Sequence, residues 1–121
     1  MSNKSLGTAF EQEFCNKLAT LGYWVHFIVP DARGAQPFDV IAAKDGRSYA
    51  YDCKTCVSKS FSIRRLEDNQ VMAFEKWMKC GNDEPLVAVK HDNKVFLIGY
   101  KELKEKKSIR LDERTPEWSF S

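Results

Sequence analysis

The stretch from Phe38 to Lys54 reads FDVIAAKDGRSYAYDCK, two apolar runs that carry Asp39 and Asp52 and end on Lys54. Asp45-Gly46 between them suits a two-residue type I′ turn, which needs positive φ at both positions. With that loop Lys44 pairs with Arg47, and the same register sets Asp39 opposite Asp52. Side chains alternate along a strand, so Ile41, Ala50 and Lys54 share the face that carries the two acids. Like charges facing each other across a ladder are destabilising. A bound cation turns that penalty into a binding site. The bland reading is that this end of the hairpin is simply wet, but the run AYDCKTCV is too apolar for an exposed edge.

Two helical residues point the same way. Leu6, Phe10, Phe14, Leu18 and Leu21 recur at helical spacing from Ser5 to Leu21, with Gly22 as the stop. At roughly 100° per residue, Glu11 falls inside that apolar arc and Glu13 outside it, near Lys17. A carboxylate aimed at a core is costly unless it is paired or binds metal. Glu11 is therefore a candidate ligand or ligand-orienter, the alternative being that it reaches solvent at the arc's edge; Glu13 reads as surface. Gln70 shares a stripe with Leu66, Ala73, Phe74 and Trp77 in a second helix, about Leu66 to Lys79, closed by Cys80-Gly81-Asn82. A catalytic role and a buried amide bonded to backbone are equally good accounts of it.

The remaining elements must hold these residues in place. Tyr23 to Val29 is β-branched and aromatic, hence a strand, and Pro30 to Pro37 is a loop. Phe38–Ala43 and Ser48–Cys56 are the hairpin strands. Pro85–Lys90 and Val95–Tyr100 form another hairpin around Asp92-Asn93, and Lys101 to Lys107 predicts a short charged helix. The order α-β-β-β-α-β-β predicts an α/β architecture with a mixed central sheet flanked by helices. A chain of 121 residues suits one domain, with a core over about 5–100 and a C-terminal extension, 101–121, in which Trp118 and Phe120 hint at docking.

Composition narrows the classes. A charged fraction of 30% and a hydrophobic fraction of 43% are ordinary for a globular chain. No apolar run approaches the ~20 residues that cross a bilayer, so no membrane partner is expected. The start, MSNKSLGTAFEQEF, lacks a signal-peptide core, which predicts a cytoplasmic protein. Net charge is only +2, but Ser58 to Arg65 carries Lys59, Arg64 and Arg65 with no acid, and Lys101 to Arg110 is mostly basic. Such stretches could touch phosphates or be plain solvated surface. Of the four cysteines, Cys53 and Cys56 form a C-x-x-C, but no second pair has metal-ligand spacing, so free thiols are the better reading.

Glu11 in a first helix, then Asp39, then Asp52-Cys53-Lys54 after a hairpin resembles the signature of the PD-(D/E)XK nucleases, and most of all the archaeal-type Holliday junction resolvases. GTAFEQEFCNKLATLGY, FDVIAAKDGRSYAYDCK, the Gln70 helix and EPLVAVKHDNKVFLIGY carry the likeness, from Gly7 to Tyr100. There are departures. The signature proline, Pro37, stands one residue too far from Asp39; Pro30-Asp31 spells the motif but lies in the loop and cannot pair with Asp52. The triplet's acid is aspartate where resolvases usually have glutamate, and Asp31 to Gln36 lacks the serine they often carry before the first aspartate.

The resemblance implies a restriction-endonuclease-like core and a metal-dependent DNA endonuclease of recombination, repair or phage DNA processing. It implies that Asp39, Asp52 and the Cys53 carbonyl hold Mg²⁺, with Mn²⁺ able to substitute. Glu11 would complete or orient that shell, Lys54 would contact the attacking water or the phosphate, and Gln70 would assist. Arg33, Lys59, Arg64 and Arg65 would be phosphate contacts on DNA, and the active form a homodimer. Two rivals remain: a non-catalytic DNA- or partner-binding module that keeps the fold, and a redox or zinc protein built on Cys53 and Cys56. On a regular strand those cysteines straddle opposite faces, which makes joint ligation awkward.

Overall fold

The computed structural model describes residues 3–29 and 37–120, with residues 3–8 as helical backbone only. Its helices are α1 (Asn3–Thr20), α2 (Asp68–Lys79) and α3 (Tyr100–Lys106). Its strands are β1 (Trp24–Phe27), β2 (Val40–Lys44), β3 (Arg47–Thr55), β4 (Ser60–Ser62), β5 (Leu86–His91), β6 (Lys94–Gly99), β7 (Ser108–Arg110) and β8 (Trp118–Ser119).

The β2–β3 turn adopts the geometry its residues favour. φ is 53° at Asp45 and 78° at Gly46, and Lys44 pairs with Arg47. Asp92 and Asn93, with φ of 51° and 60°, close β5 onto β6 in the same manner. α1 ends where Gly22, with φ 93°, lets the chain reverse. Leu21 therefore falls outside the helix, and at 44% exposure it does not join the apolar arc expected of it.

Six strands form one sheet in the order β1-β2-β3-β5-β6-β8. β3 and β5 run parallel, as a crossover through α2 requires, and the other pairs are antiparallel. β3 thus lies inside the sheet, and Asp52 on it is fully buried. Phe10, Phe14 and Leu18 of α1 cover one face, against Val40, Ala42, Tyr51 and Cys53. Phe74 of α2 covers the other face, together with Phe38, Phe61, Tyr100 and Leu103. Each such large apolar side chain contributes about 1.5–3 kcal/mol on burial.

Three elements add to the expected order. β4 and β7 make a separate two-stranded sheet, and β8 pairs with β6. Ser62 caps a 3₁₀ turn, Ile63–Arg65, by accepting from the Arg64 amide at 3.1 Å, so α2 starts at Asp68 rather than Leu66. The last segment does dock. Trp118 stacks on Phe14 with centroids 5.7 Å apart, and Phe120 exchanges bonds with Asn93. Leu103, Ile109 and Leu111 join the α2-side core, so 101–120 builds part of the same interior.

Candidate active site

The site begins where β2 begins. Register holds up to the pair Val40 and Tyr51. Asp39 departs from it: its amide donates to the Tyr51 carbonyl at 2.9 Å, and its carbonyl accepts from Ile28 at 2.9 Å. Its Oδ2 accepts the Cys53 amide at 2.8 Å. A carboxylate thereby takes the donor that a backbone partner would take in a continued ladder. The expected opposition of Asp39 and Asp52 is shifted by this substitution, but the two carboxyl groups stay in contact.

Asp52 is the buried member. Gln70 Nε2 donates to its Oδ1 at 2.6 Å. Its Oδ2 has the Lys54 ammonium 3.3 Å away as an ion pair, yet no donor aligned for a hydrogen bond. Burial first, and the Asp39 charge second, push the Asp52 carboxyl well above the ordinary range, while Lys54 pulls it down. Lys54 is only 18% exposed and also donates to Gln70 Oε1 at 3.3 Å. That same Oε1 accepts the Glu67 amide at 2.9 Å. Gln70 therefore ties three things together: Asp52, Lys54 and the first turn of α2. The buried-amide account of Gln70 is what the bonding shows, since its Oε1 takes the Glu67 backbone amide while its Nε2 reaches Asp52.

Glu11 approaches from α1. It is half-buried, and its carboxyl is raised to about 7 by burial and then by the Asp39 charge, against a lowering by Lys54. Among the described residues no three His, Cys, Asp or Glu side chains gather closely enough to cage an ion. Glu13 forms an ion pair with Lys90 at 2.7 Å, a half-exposed contact where plain surface was expected.

The cation candidates diverge. Lys59 and Arg64 are exposed. Arg65 is exposed too, but it donates to the Thr55 carbonyl at 2.9 Å and lies over the Phe61 ring, so it fastens the end of β3 to the following turn. Arg33, with the Pro30-Asp31 pair and the loop to Gln36, lies outside the described residues. Cys53 packs in the α1-side core and Cys56 in the α2-side core, on opposite faces as the strand alternation requires. Burial pushes the Cys15 thiol up to about 11 and the Cys53 thiol well above its usual value. All four cysteines are free.

Would this centre suit a divalent ion? Asp52 Oδ2, buried and without an aligned donor, lies against a second carboxylate in contact with it. A strand residue points its N–H and C=O toward the same edge, so the Cys53 carbonyl is aimed toward the Asp39 side that its amide bonds. Three hard oxygens are the donor type that Mg²⁺ takes, with water completing the shell. The residues fit. Glu67 and Gln70 close a capping box at the start of α2, which turns Gln70 back to the helix start; glutamate is not an ordinary N-cap residue, so the sequence does not announce it.

The family model of archaeal Holliday junction resolvases (Hjc) matches residues 2–119 of the chain, well past Tyr100, where the sequence likeness was expected to end. No curated protein matches the chain significantly in sequence. Among solved structures, the Holliday junction resolvase Hjc of Archaeoglobus fulgidus superposes with a TM-score of 0.66 over 86% of each chain, at 18% identity. The fold is that of the Hjc nuclease.

Proposed function

Because the chain belongs to the archaeal Holliday junction resolvase family, whose members are structure-selective DNA endonucleases of recombination and repair, we propose that Asp39, Asp52 and Lys54 hydrolyse a phosphodiester of branched DNA with the help of Mg²⁺. The observation that carries this reading is the buried Asp52 carboxylate, pressed against a second acid with one oxygen lacking an aligned donor. Asp39, Asp52 and the Cys53 carbonyl would hold the ion, and Glu11 would orient one of its waters. Bound there, Mg²⁺ supplies a water acidified toward neutral pH and positive charge beside the pentavalent phosphate. Water oxygen forms a bond to phosphorus as the bond to one deoxyribose oxygen breaks. Lys54, within reach of both Asp52 and Gln70, would hold the attacking water or a non-bridging phosphate oxygen. Gln70 would keep Asp52 and Lys54 in position without touching DNA. Lys59 and Arg64, with Arg33 ahead of β2, would fix the strand's phosphates, and Arg65 would add to them from its anchored position. Two copies of the chain would cut a junction symmetrically.

The test is a panel of four-way junctions, flaps and linear duplexes with Mg²⁺ or Mn²⁺. The wild type should cut branched DNA. Asp52→Asn should cut none while keeping its fold by circular dichroism, and Lys54→Ala should bind metal yet cut at least 100-fold more slowly. Full cleavage by Asp52→Asn would remove that residue from the site. Sedimentation of a monomer at micromolar concentration would count against paired cutting.

A further inference from the structure

We propose that Trp24 and His26 form a stacking platform for an exposed base of the DNA substrate. β1 is an edge strand of the large sheet, and Trp24 on it is 63% exposed. The His26 ring, also exposed, lies 6.1 Å from the indole at an interplanar angle of 8°. The two rings therefore present nearly parallel planes, already ordered before any ligand arrives.

Register places this pair relative to the site. Trp24 pairs with Ala43 and His26 with Ile41, and these pair in turn with Ser48 and Ala50 of β3. Alternation along β3 then sets Asp52 and Lys54 on the face that carries Trp24 and His26. Just past the end of β1, the Ile28 amide bonds the Asp39 carbonyl. The four steps from Trp24 to Ile28 span about 13 Å of extended chain. At about 3.4 Å per nucleotide, the platform would meet a base three or four nucleotides from the phosphate being cut.

The chemistry favours a nucleobase over a second copy of the chain. The four positions beside the pair on that face, Ala43, Ile41, Ser48 and Ala50, carry no acid to repel a phosphate backbone. Of the other exposed large apolar side chains, Leu21 and Val29 flank β1 while Val57 and Met72 sit on the segment after β3 and on α2. Leu21, Trp24 and Val29 along one short strand fall short of the roughly 800 Å² that a stable interface covers on each partner. Two flat rings beside uncharged neighbours suit one base. Branched DNA offers such bases where strands exchange. The inference rests on the nuclease reading for the position of the cut, not for the stacking itself.

The test uses full-length protein without metal, a four-way junction, a matched duplex, and 2-aminopurine placed three or four nucleotides from the cleavage position. Wild type should quench 2-aminopurine in the junction. Trp24→Ala should abolish the quenching and weaken junction binding about 5- to 50-fold while leaving duplex binding unchanged. Trp24→Phe should keep most of both, and His26→Ala should lose a smaller share. Unchanged junction binding by Trp24→Ala, or equal weakening on both DNAs, overturns the platform. So does a shift of Trp24→Ala from dimer to monomer in sedimentation, which would assign the face to a second copy. A wild type that cuts no branched DNA counts against the nuclease reading alone, because the quenching is measured without cleavage.

Discussion

At the level of single residues, the site is stressed by design. Asp52 is buried beside a like charge, and its carboxyl is held well above the ordinary range mainly by desolvation. Removing that charge while keeping its shape should relieve the stress. Asp52→Asn retains an oxygen for Gln70 Nε2, and Lys54, 18% exposed, can turn to solvent. We expect this variant to be more stable than wild type by about 1 kcal/mol without metal, a melting rise of about 3–6 °C. Calorimetry in a chelator checks this; a lower melting point would mean that the Lys54 ion pair outweighs the desolvation. If Gln70 acts by positioning Asp52 and Lys54, as proposed, its two variants should differ in kind. Gln70→Ala leaves Asp52 without its hydrogen-bond donor and should slow cleavage about 10- to 100-fold. Gln70→Glu places a third acid beside Asp52 and should move the acid limb of the pH–rate profile to higher pH. A purely structural role would lower both rates and leave the profile where it is.

At the level of elements, the split between what could be read and what could not follows sequence separation. The β2–β3 hairpin was legible because Asp45-Gly46 dictates the turn and the turn dictates the register. Asp39 broke that register only at its end, because its carboxylate replaces a backbone acceptor for Cys53, something no periodicity encodes. β4 and β7 are three residues each and pair across more than 40 positions, too short for alternation to signal them. β1 read as a strand from its β-branched and aromatic residues; the exposure of Trp24 and His26 follows from lying at the sheet edge, a fact of topology. The end of the chain shows a further long-range tie. Arg114 binds Glu102 of α3 through two bonds of 3.0 and 2.9 Å, and Lys106 adds a third. These donors lower the Glu102 carboxyl to about 2. Its stabilisation is present above about pH 4.5 and is lost as the pH falls toward 2. Glu102→Gln should cost about 0.5–1 kcal/mol near neutral pH, discounted for its partial exposure. Urea melts of both proteins from pH 7 to pH 2 should show that gap closing at the acid end; a constant gap would deny Glu102 its charge-based role.

At the level of the whole molecule, the two acids are buried in the sheet, Asp52 on its interior strand β3 and Asp39 just ahead of β2, with the α1 layer on one face and the α2 layer on the other. The fold therefore carries the repulsion at its centre, and a cation bound there should stabilise the entire domain cooperatively. Ligand that binds only the folded state adds RT ln(1 + [L]/Kd), about 1.4 kcal/mol when Mg²⁺ stands tenfold above its dissociation constant. We expect 10 mM Mg²⁺ to raise the wild-type melting temperature by several degrees and to leave Asp52→Asn unmoved. The gain should grow from pH 5.5 to pH 8, because metal must displace protons from carboxyl groups such as Glu11, held near 7. The order of stability would then invert. Asp52→Asn melts above wild type in a chelator, and wild type closes or reverses that gap once magnesium is present at pH 8. Equal magnesium shifts in the two proteins would place any bound ion elsewhere, and would leave the buried pair of acids as a structural cost with no ligand to offset it.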